Sequence, residues 1–157
     1  MEPAAPALFT FARDGSPGVD SPQALPDALF PPHTGRSSYA LAFHAEGTRA
    51  AAEGQFAGLE SRTARAGDTV ILYATGLGPT VEAAADHWVP VATIPIVGTA
   101  IVRFGGVRAG VSQAGLVAPG LYELTVQVPA AGAGDVSVPV EIDGARSPEG
   151  VLFTIGS

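Results

Sequence analysis

The clearest hydrophobic pattern in the chain is the alternation from Leu121 to Val128. Tyr122, Leu124, Val126 and Val128 point one way, and Glu123, Thr125 and Gln127 the other. A period of two is the signature of a strand with one buried face. The pattern returns at Val136, Val138, Val140 and Ile142, where Pro139 marks an edge strand or a bulge. It appears again at Val151, Phe153 and Ile155, and at Ala100, Val102 and Phe104. Thr69–Thr75 is apolar almost throughout, as expected of a strand at the centre of a sandwich. Val107–Val111 reads as the strand returning through a turn at Gly105-Gly106, residues that tolerate positive φ. Asp143-Gly144 is a second hairpin turn of the same kind.

Upstream, Ser38 to His44 predicts one strand in which Tyr39, Leu41 and Phe43 alternate. After the turn Ala45-Glu46-Gly47-Thr48, the Ala-rich Arg49 to Glu53 reads either as a helical turn cut short by Gly54 or, the favoured expectation, as residues 48–52 pairing back as a hairpin. Residues 1–36 read as a Pro-rich extension. They hold Pro3, Pro6, Pro17, Pro22, Pro26, Pro31 and Pro32, each of which fixes φ and removes a donor. Within them Leu8-Phe9-Thr10-Phe11 predicts a short edge or donor strand over residues 7–11. The remainder is a long loop, held, if ordered, by Leu25, Leu29 and Phe30. No segment predicts a convincing helix. Turn signals recur roughly every eight to twelve residues, which is sandwich grammar. The expected fold is therefore all-β: an immunoglobulin-like antiparallel β-sandwich over residues 37–157, best defined over 67–157, preceded by the extension.

Composition narrows the function. The chain has 157 residues and is 46% hydrophobic, so it can bury a real core in one domain. Its net charge is −7, and all eight positive charges are Arg. Such a chain lacks the basic stripe that neutralises phosphates, which argues against nucleic acid and against anionic membrane surfaces. There is no cysteine, which excludes disulfides, thiolate catalysis and Cys-zinc sites. No stretch approaches the roughly 20 apolar residues of a membrane span. Met1 to Pro6 has neither the basic start nor the apolar core of a signal peptide.

Candidate chemistry is sparse. His33, His44 and His87 share no metal-ligand spacing, and His44, at a strand end, is expected to face solvent. Asp14-Gly15-Ser16-Pro17-Gly18-Val19-Asp20 offers oxygen ligands in a loop but lacks the calcium-loop order and its terminal Glu. A turn-rich surface loop explains it more simply. Gly76-Leu77-Gly78 lacks the spacing, Lys and helix of a phosphate loop. It reads as a strand corner where backbones approach closely. No nucleophile elbow occurs. Trp88, beside His87, is either a plug over the open end of the sandwich or a contact for a sugar or partner. No catalytic, metal or cofactor residue emerges, and the reading is of a non-enzymatic module.

The runs GDTVILYATGLGPT, VRFGGVRAGVSQAGLVAPGLYELTVQVPA and GDVSVPVEIDGARSPEGVLFTI, with APALFTF and YALAFHAEGT upstream, resemble a C-terminal domain of large secreted acidobacterial proteins. Their order also resembles the wider IPT/TIG class of immunoglobulin-like domains. The resemblance implies an Ig-like sandwich in an extracellular or cell-surface setting, and a structural role among neighbouring modules or identical subunits. On that footing residues 3–11 are a candidate donor strand, with Leu8, Phe9 and Phe11 filling pockets on a neighbour. The alternative expectation is a carbohydrate-binding module using the aromatics Trp88, Tyr39 or Phe56.

Overall fold

The computed structural model describes residues 4–12, 38–53, 60–81 and 93–157. Among these the chain is all-β, with no helix. In chain order the strands are β1 (Ala7–Leu8), β2 (Thr10–Ala12), β3 (Ser38–Ala40), β4 (Ala42–His44), β5 (Arg49–Ala50), β6 (Ser61–Arg62), β7 (Thr69–Thr75) and β8 (Ile94–Pro95). They continue as β9 (Ala100–Phe104), β10 (Val107–Arg108), β11 (Gly110–Ala118), β12 (Leu121–Gln127), β13 (Gly134–Ser137), β14 (Val140–Ile142), β15 (Ala145–Arg146) and β16 (Val151–Ile155).

One layer is an eight-stranded sheet in the order β6-β5-β4-β7-β12-β11-β8, with β1 also on β7. The other layer consists of two four-stranded sheets, β10-β9-β14-β15 and β13-β16-β3-β2. Strand pairing is antiparallel except β5 with β6 and β16 with β3, and the isolated Ala64–Ile155 bridge is also parallel. Side chains from all three sheets meet in one core, including Val70, Leu72, Leu124 and Val126 from the first layer and Val102, Phe104, Val140 and Phe153 from the second. Phe104 and Phe153 meet edge to face at 5.1 Å, the arrangement that ring quadrupoles favour. Because alternate residues of β7, β12 and β16 are buried on this inner side, the architecture is a β-sandwich.

The predicted hairpins form. At Gly105 and Gly106 φ is +58° and +86°, at Asp143 and Gly144 +48° and +91°. Phe43 pairs with Arg49 across the β4–β5 turn, as the hairpin expectation required. The strand predicted over Thr69–Thr75 alternates, with Val70, Leu72 and Ala74 fully buried and the other face partly open.

Three predicted strands prove to be pairs of strands that change partners. Ser38 to His44 divides at Leu41, where the chain passes from β16 to β7. Its buried set in β4 is Ala42 and His44, while the bulkier Phe43 is only half-buried on the outer face. Val107–Val111 divides at Ala109, which gives β10 to β9 and β11 to β12. Residues 136–142 divide at Val138-Pro139. The predicted boundary at residue 36 does not separate extension from sandwich either. Residues 4–12 are built into both layers, and Leu8 belongs to the main core. Because Thr10, Phe11 and Ala12 pair antiparallel with Ala40, Tyr39 and Ser38, residues 13–37 are an insertion between two neighbouring strands.

Candidate functional site: a strand slot on β7 and a cleft in the opposite layer

β7 lies at the middle of its layer, with β12 along one edge. Two separate segments share the other edge. Residues 42–44 cover its first half, with Ala42 opposite Leu72 and His44 opposite Val70. Residues 5–9 cover its second half. Ala5 N donates to Gly76 O (2.8 Å), Ala7 and Leu8 pair with Thr75 and Ala74, and Phe9 N donates to Tyr73 O (2.9 Å). The two segments meet at Tyr73 and then leave together as β2 and β3 for the other layer.

The slot that receives residues 4–9 is shaped by missing side chains. Gly76 has φ +70°, and a Cβ there would collide with the Ala5 carbonyl; one at Gly78 would touch Ala4. Leu77 between them is fully buried, and Tyr122 Oη donates to Gly78 O at 2.9 Å, which pins the corner. The sequence reading of Gly76-Leu77-Gly78 as a place of close backbone approach is realised here. Leu8 is 2% exposed and Phe9 7% exposed. Phe11 holds the middle position of β2, opposite Tyr39. The partner that Leu8 and Phe9 find in this structure is their own chain.

The same split recurs in the second layer. The run from residue 134 to 142 has β9 on one side, through Val140 opposite Val102 and further bonds from Arg103 N to Pro139 O and Gly105 N to Ser137 O. Its other side is shared by β16 along residues 134–137 and β15 along residues 141–142. Pro139, with no N–H to offer, sits at the parting. Here the gap opens as a cleft of about 450 Å³, with Val138, Pro139, Arg146, Pro148 and Glu149 in its lining. Ser147 also lines it, and its buried Oγ accepts from Val140 N at 2.9 Å. A second cleft, of about 400 Å³, is lined by Glu53, Arg62, Thr63, Arg65, Gly156 and Ser157.

Many of the described carboxylates hold structure. Asp135 accepts from Tyr39 Oη (2.7 Å) and Thr154 Oγ1 (2.6 Å), tying β13 and β16 to β3. Asp143 accepts from Thr99 N and Asp68 from Arg65 N. Glu141 faces Arg146 at 3.2 Å and Arg103 at 4.0 Å. Arg62 bridges Glu46 (2.6 Å) and Asp68 (3.6 Å). The hydrogen bond from Arg62 holds the exposed Glu46 carboxyl below the usual carboxylate range.

On the outer face of the larger sheet, Phe43 meets Tyr73 edge to face at 5.7 Å, and Arg49 lies over the Phe43 ring. Tyr73 is directly opposite Glu123, which itself accepts from Thr93 Oγ1. Partial burial, with the Glu123 charge in support, raises the Tyr73 phenol above its ordinary value. The sequence reading did not single out this cluster. Its signal was the aromatic placed among outward positions of an otherwise aliphatic strand.

Two expectations change. His44 does not face solvent: it is 2% exposed, and Nε2 donates to Arg62 O at 2.8 Å, so that nitrogen carries a hydrogen. Tyr39 is 4% exposed and bonded to Asp135, which removes it from any sugar-stacking surface. Trp88, Phe56, His33, His87 and the Asp14–Asp20 loop lie outside the described residues, as do Leu25, Leu29 and Phe30. Among the described residues no three His, Asp or Glu side chains gather as a metal-ligand set, and no helix is long and apolar enough to cross a membrane.

Comparison with protein-family models, with curated proteins and with solved structures finds no match for this chain.

Proposed function

We propose that the chain is a non-enzymatic, immunoglobulin-like structural module of a secreted or cell-surface protein, working through contacts with neighbouring modules or identical subunits. The observation that carries this reading is the way residues 4–9 are held. An extended segment lies on a sheet edge by main-chain hydrogen bonds, with one deeply buried leucine and glycines cleared beneath it. Strand addition between proteins uses the same physics: backbone bonds give affinity and side-chain pockets give specificity. Parallel pairing of the closing strand β16 with β3, and first strands divided between the layers, suit an Ig-like sandwich. The secreted setting rests on the resemblance to the acidobacterial domain.

Light scattering of the purified chain over a wide concentration range tests the reading. A mass that rises to a multiple of 15.8 kDa supports it. A monomer at every concentration, combined with glycan binding on an array, overturns it.

The second reading, a carbohydrate-binding module, is favoured by one observation. Tyr73 lies half-open on the outer face with Glu123 beside it and Phe43 against its ring, and a tyrosine offers a ligand both an apolar ring and a polar tip. Loss of array signal in Tyr73→Ala, with the fold intact, supports it; a blank array with the natural chain sinks it.

A further inference from the structure

We infer that the slot on β7 is a strand-acceptor site and that its natural second occupant is residues 4–12 of another copy of this chain. The inference rests on the interaction-module reading and names its partner.

The slot and its occupant are two pieces of one chain, so every copy carries both. The occupant's apolar anchors are Leu8 and Phe9, and its small residues Ala4 and Ala5 are the ones that clear Gly78 and Gly76. Docking by a second copy uses the same bonds: Ala5 N to Gly76 O, Phe9 N to Tyr73 O, Leu41 N to Phe9 O. It creates no new contact and loses none. What decides between the two arrangements is the covalent connection, which runs through residues 13–37. Covalent tethering presents the segment to its own slot at an effective concentration on the order of millimolar. A second copy therefore competes on equal terms only near that concentration. At about 10 μM its share of the slots is on the order of one per cent, and it rises in proportion to concentration. Copies crowded side by side on one surface or in one array reach the millimolar regime; a dilute solution does not.

The natural absence of cysteine makes the exchange directly measurable. Ala7 and Thr75 are partners across the slot, and paired strand positions have Cα atoms within disulfide reach. Chains carrying Ala7→Cys alone and Thr75→Cys alone, distinguished by mass, are mixed and gently oxidised. The expected result is a mixed 7–75 disulfide dimer that grows with concentration and exceeds at least tenfold the dimer from Ala7→Cys mixed with Ser112→Cys, an exposed position on β11. One chain carrying both Ala7→Cys and Thr75→Cys must close an internal disulfide and stay monomeric when dilute. Adding Leu8→Asp to the Ala7→Cys chain must remove the mixed dimer, while the slot-bearing chain is untouched and remains folded.

A mixed dimer no more abundant than the Ser112→Cys control at 1 mM overturns the inference. So does one that survives Leu8→Asp, or failure of the double variant to close internally. An oligomer by light scattering without the mixed disulfide leaves the module reading standing and removes only the slot as its interface. A monomer at every concentration with no mixed disulfide removes both.

Discussion

Leu41 N donates to Phe9 O at 2.7 Å, and each of these residues also bonds Tyr73: Phe9 N to Tyr73 O at 2.9 Å, and Tyr73 N to Leu41 O at 3.3 Å. Three backbones thus close a ring of hydrogen bonds at the point where two segments turn out of one layer into the other. A strand that changes sheets leaves polar groups in search of partners. Here each of the three residues supplies the donor or acceptor that the next requires, so the crossover is made without an orphaned backbone group among these bonds.

The glycine corner after β7 should be far less tolerant than other glycines at positive φ. Gly106 has φ +86° and open space where a Cβ would sit, so Gly106→Ala carries only the conformational cost, about 1 kcal/mol. Gly76→Ala carries a similar cost and also drives Cβ into the Ala5 carbonyl. Thermal unfolding should show the Gly76 variant as clearly the less stable of the two. Hydrogen exchange should locate its loss of protection at residues 5–9. Equal melting temperatures would contradict the slot geometry.

Residues 13–37 join strands whose ends, Ala12 and Ser38, are already cross-strand partners. Replacing the whole insertion with a short Asn-Gly turn should leave the sandwich folded, since such turns suit adjacent antiparallel strands. Far-ultraviolet circular dichroism and a cooperative thermal transition within a few degrees of the natural chain are the expected outcomes. Loss of cooperative unfolding would mean that the insertion contributes to the core.

Thr10 is 4% exposed, and its hydroxyl finds no hydrogen-bond partner among the described residues. Thr10→Val keeps the branched shape and removes the orphaned group, whose desolvation costs about 1 to 3 kcal/mol. Denaturant unfolding should show a gain of about 1 kcal/mol with an unchanged slope. A loss of that size would show that the hydroxyl is satisfied in solution.

Alkaline stability should depend on Tyr73. In the unfolded chain a tyrosine ionises near pH 10. Burial and the Glu123 charge raise that value in the folded state. The stability this group contributes is complete below about pH 10. As pH rises through the folded-state value it is lost, because only the unfolded chain releases its proton early. Tyr73→Phe should therefore flatten the fall of stability above about pH 10 and change nothing at about pH 8. Parallel profiles for the two proteins would contradict the assignment.

The sequence was most readable where one buried face runs unbroken along a strand. The alternation of β12 and β16 and the turns at Gly105-Gly106 and Asp143-Gly144 are all realised. It was least readable at Leu41 and Ala109, whereas Pro139 did mark the break between β13 and β14. Periodicity reports which side of the backbone is buried, and it carries no mark of which strand lies alongside, so a change of partner leaves the alternation intact. Size misleads as well. In β4 the small Ala42 and the polar His44 face inward while Phe43 packs outside, because His44 finds a carbonyl on β6 and Phe43 finds the ring of Tyr73. β6 and β8 have only two residues each, too few to show a period. β11 is written largely in Gly, Ala, Ser and Gln, which announce turns rather than a nine-residue strand. At the slot the glycines were legible as a close approach, but the approaching segment lies some seventy residues away in sequence, and no local pattern names it.

The three-way junction at Tyr73 also sets an order of events for a chain made from its N-terminus. Leu8 and Phe9 emerge early, yet the edge that shelters them does not exist until β7 has followed. Until then the nascent chain carries an adhesive apolar tag with no place to put it. Residues 4–9 thus stay open to chaperones and neighbouring nascent chains until β7 has been made. Closure around β3 waits longer still, because one of its sides stays unsealed until β16, far downstream in sequence, lies down beside it.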